Sequence, residues 1–123
     1  MAETRTYSGG CHCGAVRYRV TTEPLQAAMA CNCSICSKTG SVLTFVPASQ
    51  FELLSGGEAL RDYQFGKKRI HHVFCPTCGI RSFARGAKPD GTPMVAVNVR
   101  CLEGVDVGAL TVKPFDGKSL PVD

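Results

Sequence analysis

The chain has 123 residues, 44% of them hydrophobic and 20% charged, with a formal net charge of +4. That length suits one domain with a modest core, and the charge is too mild and scattered for a nucleic-acid-binding face. No stretch approaches the ~18 apolar residues of a membrane span, and the start, "MAETRTY", leads into no apolar run of the kind a signal peptide carries. The expectation is a single domain over 1–123, cytoplasmic, with neither membrane nor nucleic acid as partner.

From the N-terminus, the first feature is "CHC" (Cys11, Cys13) in a Gly-flanked loop. "AVRYRV" follows, where Val16, Tyr18 and Val20 alternate with Arg17 and Arg19. A period of two marks a half-buried strand. "CNCSIC" then places Cys31, Cys33 and Cys36 within six positions, and a short helical turn is expected over 33–38. Further strands are expected at 42–47 ("VLTFVP"), 51–55 ("FELLS"), 60–65 ("LRDYQF"), 70–74 ("IHHVF"), 80–84 ("IRSFA") and 94–99 ("MVAVNV"). A second helical turn is expected at 47–50. Breaks rich in Gly or Pro separate these runs: "SGG", "FG", "CPTCG" and "KPDGTP". No window sustains an amphipathic helical pattern, so the predicted class is mainly β, with short strands packed as small sheets. The basic residues, "GKKR" at 66–69 and single Arg17, Arg19, Arg81 and Arg85, suit solvated strand faces. An anion-attracting rim around a site is the sharper alternative.

Eight cysteines in a chain with no secretory signal point to metal binding or thiol chemistry rather than to disulfides. "CPTCG" is the clearest signal: a C-x-x-C turn aims two thiolates at one metal, and Gly79 permits the positive-φ turn that follows. The second pair of a tetrahedral site is expected from "CHC", since residues i and i+2 of an extended chain share a face. Cys11, Cys13, Cys75 and Cys78 then make a closed four-thiolate site. That pairing leaves Cys31, Cys33 and Cys36, three thiolates with a fourth position open, the pattern of a catalytic or ligand-binding zinc. Such an electron-rich zinc suits an incoming thiol, which it would hold as a thiolate. Several alternatives stay open. His71, His72 or Cys101 could fill the fourth position, the clustered cysteines could be partitioned differently, or "CNCSIC" could cycle through a disulfide. His12 points away from its neighbours' face and is not expected to be a ligand.

"GGCHCGAVRY", "CNCSIC", "FCPTCG", "VNVRCLEGVD" and "FDGKSL" occur in that order and span nearly the whole chain. In this the sequence resembles the glutathione-dependent formaldehyde-activating enzyme family, whose domain also occurs in the centromeric protein V group. The resemblance implies a β-tent fold of small antiparallel sheets and a structural zinc on Cys11, Cys13, Cys75 and Cys78. It also implies a second zinc, assigned to catalysis, on Cys31, Cys33 and Cys36, giving two zinc ions per chain. The implied reaction joins formaldehyde to glutathione, the co-substrate, giving S-hydroxymethylglutathione, a carbon–sulfur lyase reaction in reverse. Arg69 and Lys38 are candidate partners for glutathione's carboxylates. The alternative is a noncatalytic zinc module that binds glutathione, another thiol or a protein partner.

Overall fold

The computed structural model describes residues 3–65 and 68–119; Gly66 and Lys67 of the basic run lie outside the described residues. Ten strands form among them: β1 (Arg5–Gly10), β2 (Arg17–Thr22), β3 (Ala27–Cys31), β4 (Leu43–Pro47), β5 (Phe51–Ser55), β6 (Arg61–Tyr63), β7 (His71–Phe74), β8 (Phe83–Ala87), β9 (Pro93–Asn98) and β10 (Thr111–Phe115). A single helical turn, α1 (Cys36–Thr39), and short 3-10 turns, one of them at Ala48–Gln50, complete the described chain. The mainly β class is therefore as expected. No helix among the described residues is long and apolar enough to cross a membrane.

The strands form two sheets. One is three-stranded, β1-β2-β5, and antiparallel; the other is seven-stranded, in the order β10-β3-β4-β9-β8-β7-β6. The larger sheet is antiparallel except at one edge, where β10 runs parallel to β3. The alternation in "AVRYRV" does what a period of two requires. Tyr18 and Val20 are fully buried, while Arg17 and Arg19 turn outward to ion pairs with Glu103 and Glu52. Tyr18 joins the two sheets. Its ring lies 5.0 Å from Phe51 and 5.7 Å from Phe83, centroid to centroid, and its hydroxyl donates to the Ser82 carbonyl at 3.3 Å. Aromatic pairs of this kind contribute about 0.5–1.5 kcal/mol each beyond their buried area. The same burial pushes the Tyr18 phenol far above its ordinary pKa.

Register sorts the residues of the larger sheet onto two faces. Thr44, Val97 and Phe83 are paired across β4, β9 and β8, and Val46 pairs with Val95. The valines and Phe83 of these rows belong to the core. The next row must point the other way, because successive side chains alternate. It reads Phe45, Ala96, Ala84 and His72 across β4, β9, β8 and β7. Beside it runs a row of Met29, Leu43 and Asn98. This second face carries the candidate site.

One strand lies three residues from its expected place. The run "IRSFA" was expected to pair over 80–84, but β8 spans Phe83–Ala87. Ile80 is taken by the cysteine turn before it, where its carbonyl accepts from the Cys75 amide at 3.1 Å.

Candidate functional site

Two groups of cysteines come together. The sulfurs of Cys11, Cys13, Cys75 and Cys78 all lie within 4.8 Å of one another, and so do those of Cys31, Cys33 and Cys36. In the first group Cys13 Sγ is 3.6 Å from both Cys11 Sγ and Cys75 Sγ. A disulfide needs ~2.05 Å, whereas thiolates around a tetrahedral metal at ~2.3 Å lie ~3.8 Å apart. The spacing is thus that of a four-thiolate metal site. Cys11 and Cys75 are buried at the inner side of the group.

Local backbone geometry explains how each pair is aimed. The "CPTCG" turn closes through a hydrogen bond from Gly79 N to the Cys75 carbonyl at 2.7 Å, with Gly79 at φ 77°, a conformation that favours glycine. "CHC" differs from the extended segment expected. It is a turn, closed by Gly14 N donating to the Cys11 carbonyl at 3.3 Å. The two sulfurs converge because the chain folds back there, and not because alternate side chains of a strand share a face. Amide donors converge on the sulfurs as well. Val16 N donates to Cys11 Sγ at 3.3 Å. The backbone N–H of Cys13, then that of Ile80, holds the Cys78 thiol down to about 6, and the Cys78 N–H holds Cys75 below its ordinary 9. Such donors favour the thiolate form that a metal needs.

The second group is built differently. Cys31 ends β3, Cys33 lies in the following turn, and Cys36 opens α1. The Cys33 amide donates to Cys31 Sγ at 3.4 Å and the Cys36 amide to Cys33 Sγ at 3.5 Å. Burial works to raise the Cys33 pKa, but the Cys36 N–H and the neighbouring thiols outweigh it and hold it below 9. Cys36 goes the other way, pushed up to about 12 by burial and then by the Cys33 thiol. Cys33 is therefore the readiest of the pair to ionise. Neither Cys101 nor His71 nor His72 joins this group within 4.8 Å.

The C-terminal "FDG" closes over the three cysteines, a contact that sequence reasoning did not anticipate. Phe115 of β10 pairs with Cys31. Asn32 bonds the segment from both ends, its amide donating to Asp116 Oδ1 at 3.0 Å and its Oδ1 accepting from Lys118 N at 2.8 Å. Between them sits Gly117, where an added Cβ would lie 2.5 Å from Cys31 Sγ. No real Cβ tolerates that distance, so Gly117→Ala must lift the segment or displace the sulfur. The expected outcome is a metal affinity at least tenfold weaker at the three-cysteine group, with the four-cysteine group unchanged. Cobalt(II) titration, followed by thiolate-to-metal charge-transfer absorption, resolves the two. Equal affinities in variant and parent would refute it.

The three cysteines line a cleft of about 730 Å³ on the open face of the larger sheet. Leu43, Phe45, Ala84, Ala96 and Phe115 line it, with His72, Arg81 and Lys118 among the polar groups. Among the described residues, Arg81 and Lys118 are the Lys and Arg side chains that line the cleft, and Arg69 and Lys38 are not among its lining. Arg81 is held in place by a hydrogen bond to the His72 carbonyl at 3.2 Å and by the rings of Phe74 and Tyr63, 5.1 and 5.9 Å from its guanidinium carbon. His72 stacks on Phe65 with centroids 5.3 Å apart. Burial, then the Arg81 charge, holds its imidazole below its ordinary 6.5, so it is neutral at pH 7.

These features have counterparts among known proteins. A crystal structure of a Rhodobacter sphaeroides protein, a structural-genomics target, is similar at 36% identity and a TM-score of 0.74, over 87% of this chain and 97% of that one. The sequence pattern of the family described as "Glutathione-dependent formaldehyde-activating enzyme" matches residues 6–114, a span that includes both cysteine groups and ends just before the segment that closes over the second. With the match covering most of its length, the chain belongs to the glutathione-dependent formaldehyde-activating enzyme family.

Proposed function

We propose that this protein is a zinc-dependent carbon–sulfur lyase of the cytoplasm that interconverts S-hydroxymethylglutathione with glutathione and formaldehyde. The observation that carries the reading is a group of three mutually close cysteine sulfurs lining an open cleft, in a chain whose family activates formaldehyde with glutathione. Cys11, Cys13, Cys75 and Cys78 would hold one zinc in a structural role. Cys31, Cys33 and Cys36 would hold a second zinc, beside the cleft that admits the substrate. Bound there, zinc supplies a Lewis-acid position that stabilises a thiolate and leaves it nucleophilic.

The chain's own residues do the rest. In the forward direction a carbon–sulfur bond forms between the glutathione sulfur and the aldehyde carbon, and the thiol proton ends on the former carbonyl oxygen. The cleft walls keep the two reactants together, which replaces a bimolecular encounter by a local one. Arg81 and Lys118 offer positive charge to the two glutathione carboxylates. His72, neutral at pH 7 and facing the same cleft, is the imidazole available to accept the thiol proton and return it to the oxygen.

The test is NMR exchange spectroscopy on glutathione, formaldehyde and their adduct at equilibrium. The expected result is an exchange rate that rises in proportion to added zinc-loaded protein. Glutathione binding with no change in exchange would instead identify a noncatalytic thiol-binding module.

A further inference from the structure

Formaldehyde has two heavy atoms, and one water's share of liquid volume is about 30 Å³. A cleft of about 730 Å³ falls within the ~300–1,000 Å³ of sites that enclose a whole organic ligand. Its walls are also unusually apolar for an open surface. Phe45, Phe115 and Ile70 are 49%, 43% and 39% exposed, and all three line it. Exposed apolar side chains scattered singly are ordinary, whereas a contiguous patch marks a binding surface.

Register shows how the hollow arises. Ala96 and Ala84 are paired neighbours on the central strands β9 and β8, with Phe45 on one side of them and His72 on the other. Two methyl groups in the middle of a row of large side chains leave a depression where a leucine pair would leave none. Ile70 folds over its far rim, its Cγ1 3.7 Å from the position a Cβ on Gly86 would take. Charge adds a second constraint. Among the described residues no Asp or Glu lines the cleft, and the fixed charges there are the cations Arg81 and Lys118.

We infer that the cleft is shaped for the thiol adduct of an apolar aldehyde, aryl or medium-chain alkyl, carried on an anionic thiol such as glutathione. The aldehyde substituent lies over Ala84 and Ala96 against Phe45, while the carrier's carboxylates meet Lys118 and Arg81. The chemistry is that of the formaldehyde reaction with one hydrogen replaced by R. The carbon–sulfur bond forms, the thiol proton goes to oxygen, and no further reactant is consumed. This inference rests on the reading under Proposed function and extends it to the identity of the aldehyde.

S-alkylglutathiones are suitable probes, because the adduct is itself a thioether. Isothermal titration of the zinc-loaded protein with S-methyl-, S-hexyl- and S-benzylglutathione should give affinities for the last two at least tenfold above the first. Ala96→Leu, which fills the floor, and Phe45→Ser, which removes a half-exposed wall at little risk to folding, should each erase most of that preference. A flat series overturns the inference. So does a preference undiminished in a folded Phe45→Ser variant, because the apolar group then binds elsewhere. If sedimentation velocity finds a dimer that Phe45→Ser dissociates, a second copy covers this face and the inference also falls. The two readings separate cleanly: a flat series with intact formaldehyde exchange defeats this one alone, and absent exchange with a retained preference defeats only the catalytic one.

Discussion

Replacing Cys75 by serine is expected to leave the chain unfolded at 25 °C, whereas Cys33→Ser should stay folded to within about 1 kcal/mol of the parent. The difference follows from what each cysteine group ties together. Cys13 and Cys75 are 62 residues apart and their sulfurs are 3.6 Å apart. The four-cysteine group therefore fastens the turn before β2, in the small sheet, to the turn after β7, in the large one. Cys75 is 1% exposed and belongs to the core that these two turns enclose. Structural zinc in small domains supplies about 10–16 kcal/mol of apparent binding free energy, against a total stability of only about 5–15 kcal/mol for a typical domain. Removing one thiolate forfeits a large part of the first quantity and leaves little of the second. By contrast, Cys31, Cys33 and Cys36 lie within six residues, and none of the three is in the core. Losing a metal there frees one local loop, and loop closure over so few residues carries little global stability. Urea unfolding followed by far-UV circular dichroism, with zinc counted on each variant, measures both. Parallel loss of structure in the two variants would show that the division between closed and open sites is wrong.

Much of the fold was legible because its strands carry a pattern that water imposes. "AVRYRV" and "MVAVNV" have one face in the core, so alternation or a dense β-branched run betrays them. β1, β3 and β10 were not anticipated, for three separate reasons. β1 (RTYSGG) ends in two glycines, the usual mark of a break. β3 (AAMAC) is alanine-rich and offers no contrast between its faces. β10 (TVKPF) is exposed along its whole length and contains Pro114. A proline survives in a strand only where its missing amide is not required, which is the situation at a sheet edge. The cysteine groups were legible because the C-x-x-C turn and the three cysteines in six positions each mark sulfurs that can share a metal, although the spacing left other partitions open and the "CHC" pair converges through a turn. The cleft was not legible. Ala84 and Ala96 are unremarkable in sequence, and become the floor of a site only when register sets them beside each other and between Phe45 and His72. Gly117 was quoted within "FDGKSL" without a physical reason, which the 2.5 Å approach to Cys31 Sγ now supplies.

Cys33→Ser should also reduce protein-dependent exchange of formaldehyde with glutathione at pH 7 to the uncatalysed rate, a loss of at least ~30-fold if thiol activation is the main contribution. The figure comes from the thiol itself. A free thiol with pKa about 8.5 is roughly 3% ionised at pH 7, so a site that holds it as thiolate gains a factor of about 30 before any proximity effect is added. Serine in place of Cys33 removes the sulfur that the Cys36 amide already favours as an anion, and it substitutes a hard, neutral oxygen for a soft donor. The sign of the pH dependence follows. Below about 8.5 the uncatalysed reaction slows about tenfold per pH unit as free thiolate disappears, while a thiol held ionised at the site does not follow it. The ratio of protein-dependent to background exchange should therefore be largest at pH 6.5 and shrink towards pH 9. Exchange spectroscopy at pH 6.5, 7.5 and 8.5, on the parent and on Cys33→Ser, gives that ratio directly. A ratio independent of pH, with Cys33→Ser inactive, would place the catalytic advantage in holding the reactants together, and would remove thiol activation from the mechanism. A fully active Cys33→Ser would remove the three-cysteine group from the chemistry altogether and move the search to His72 and Arg81 across the cleft.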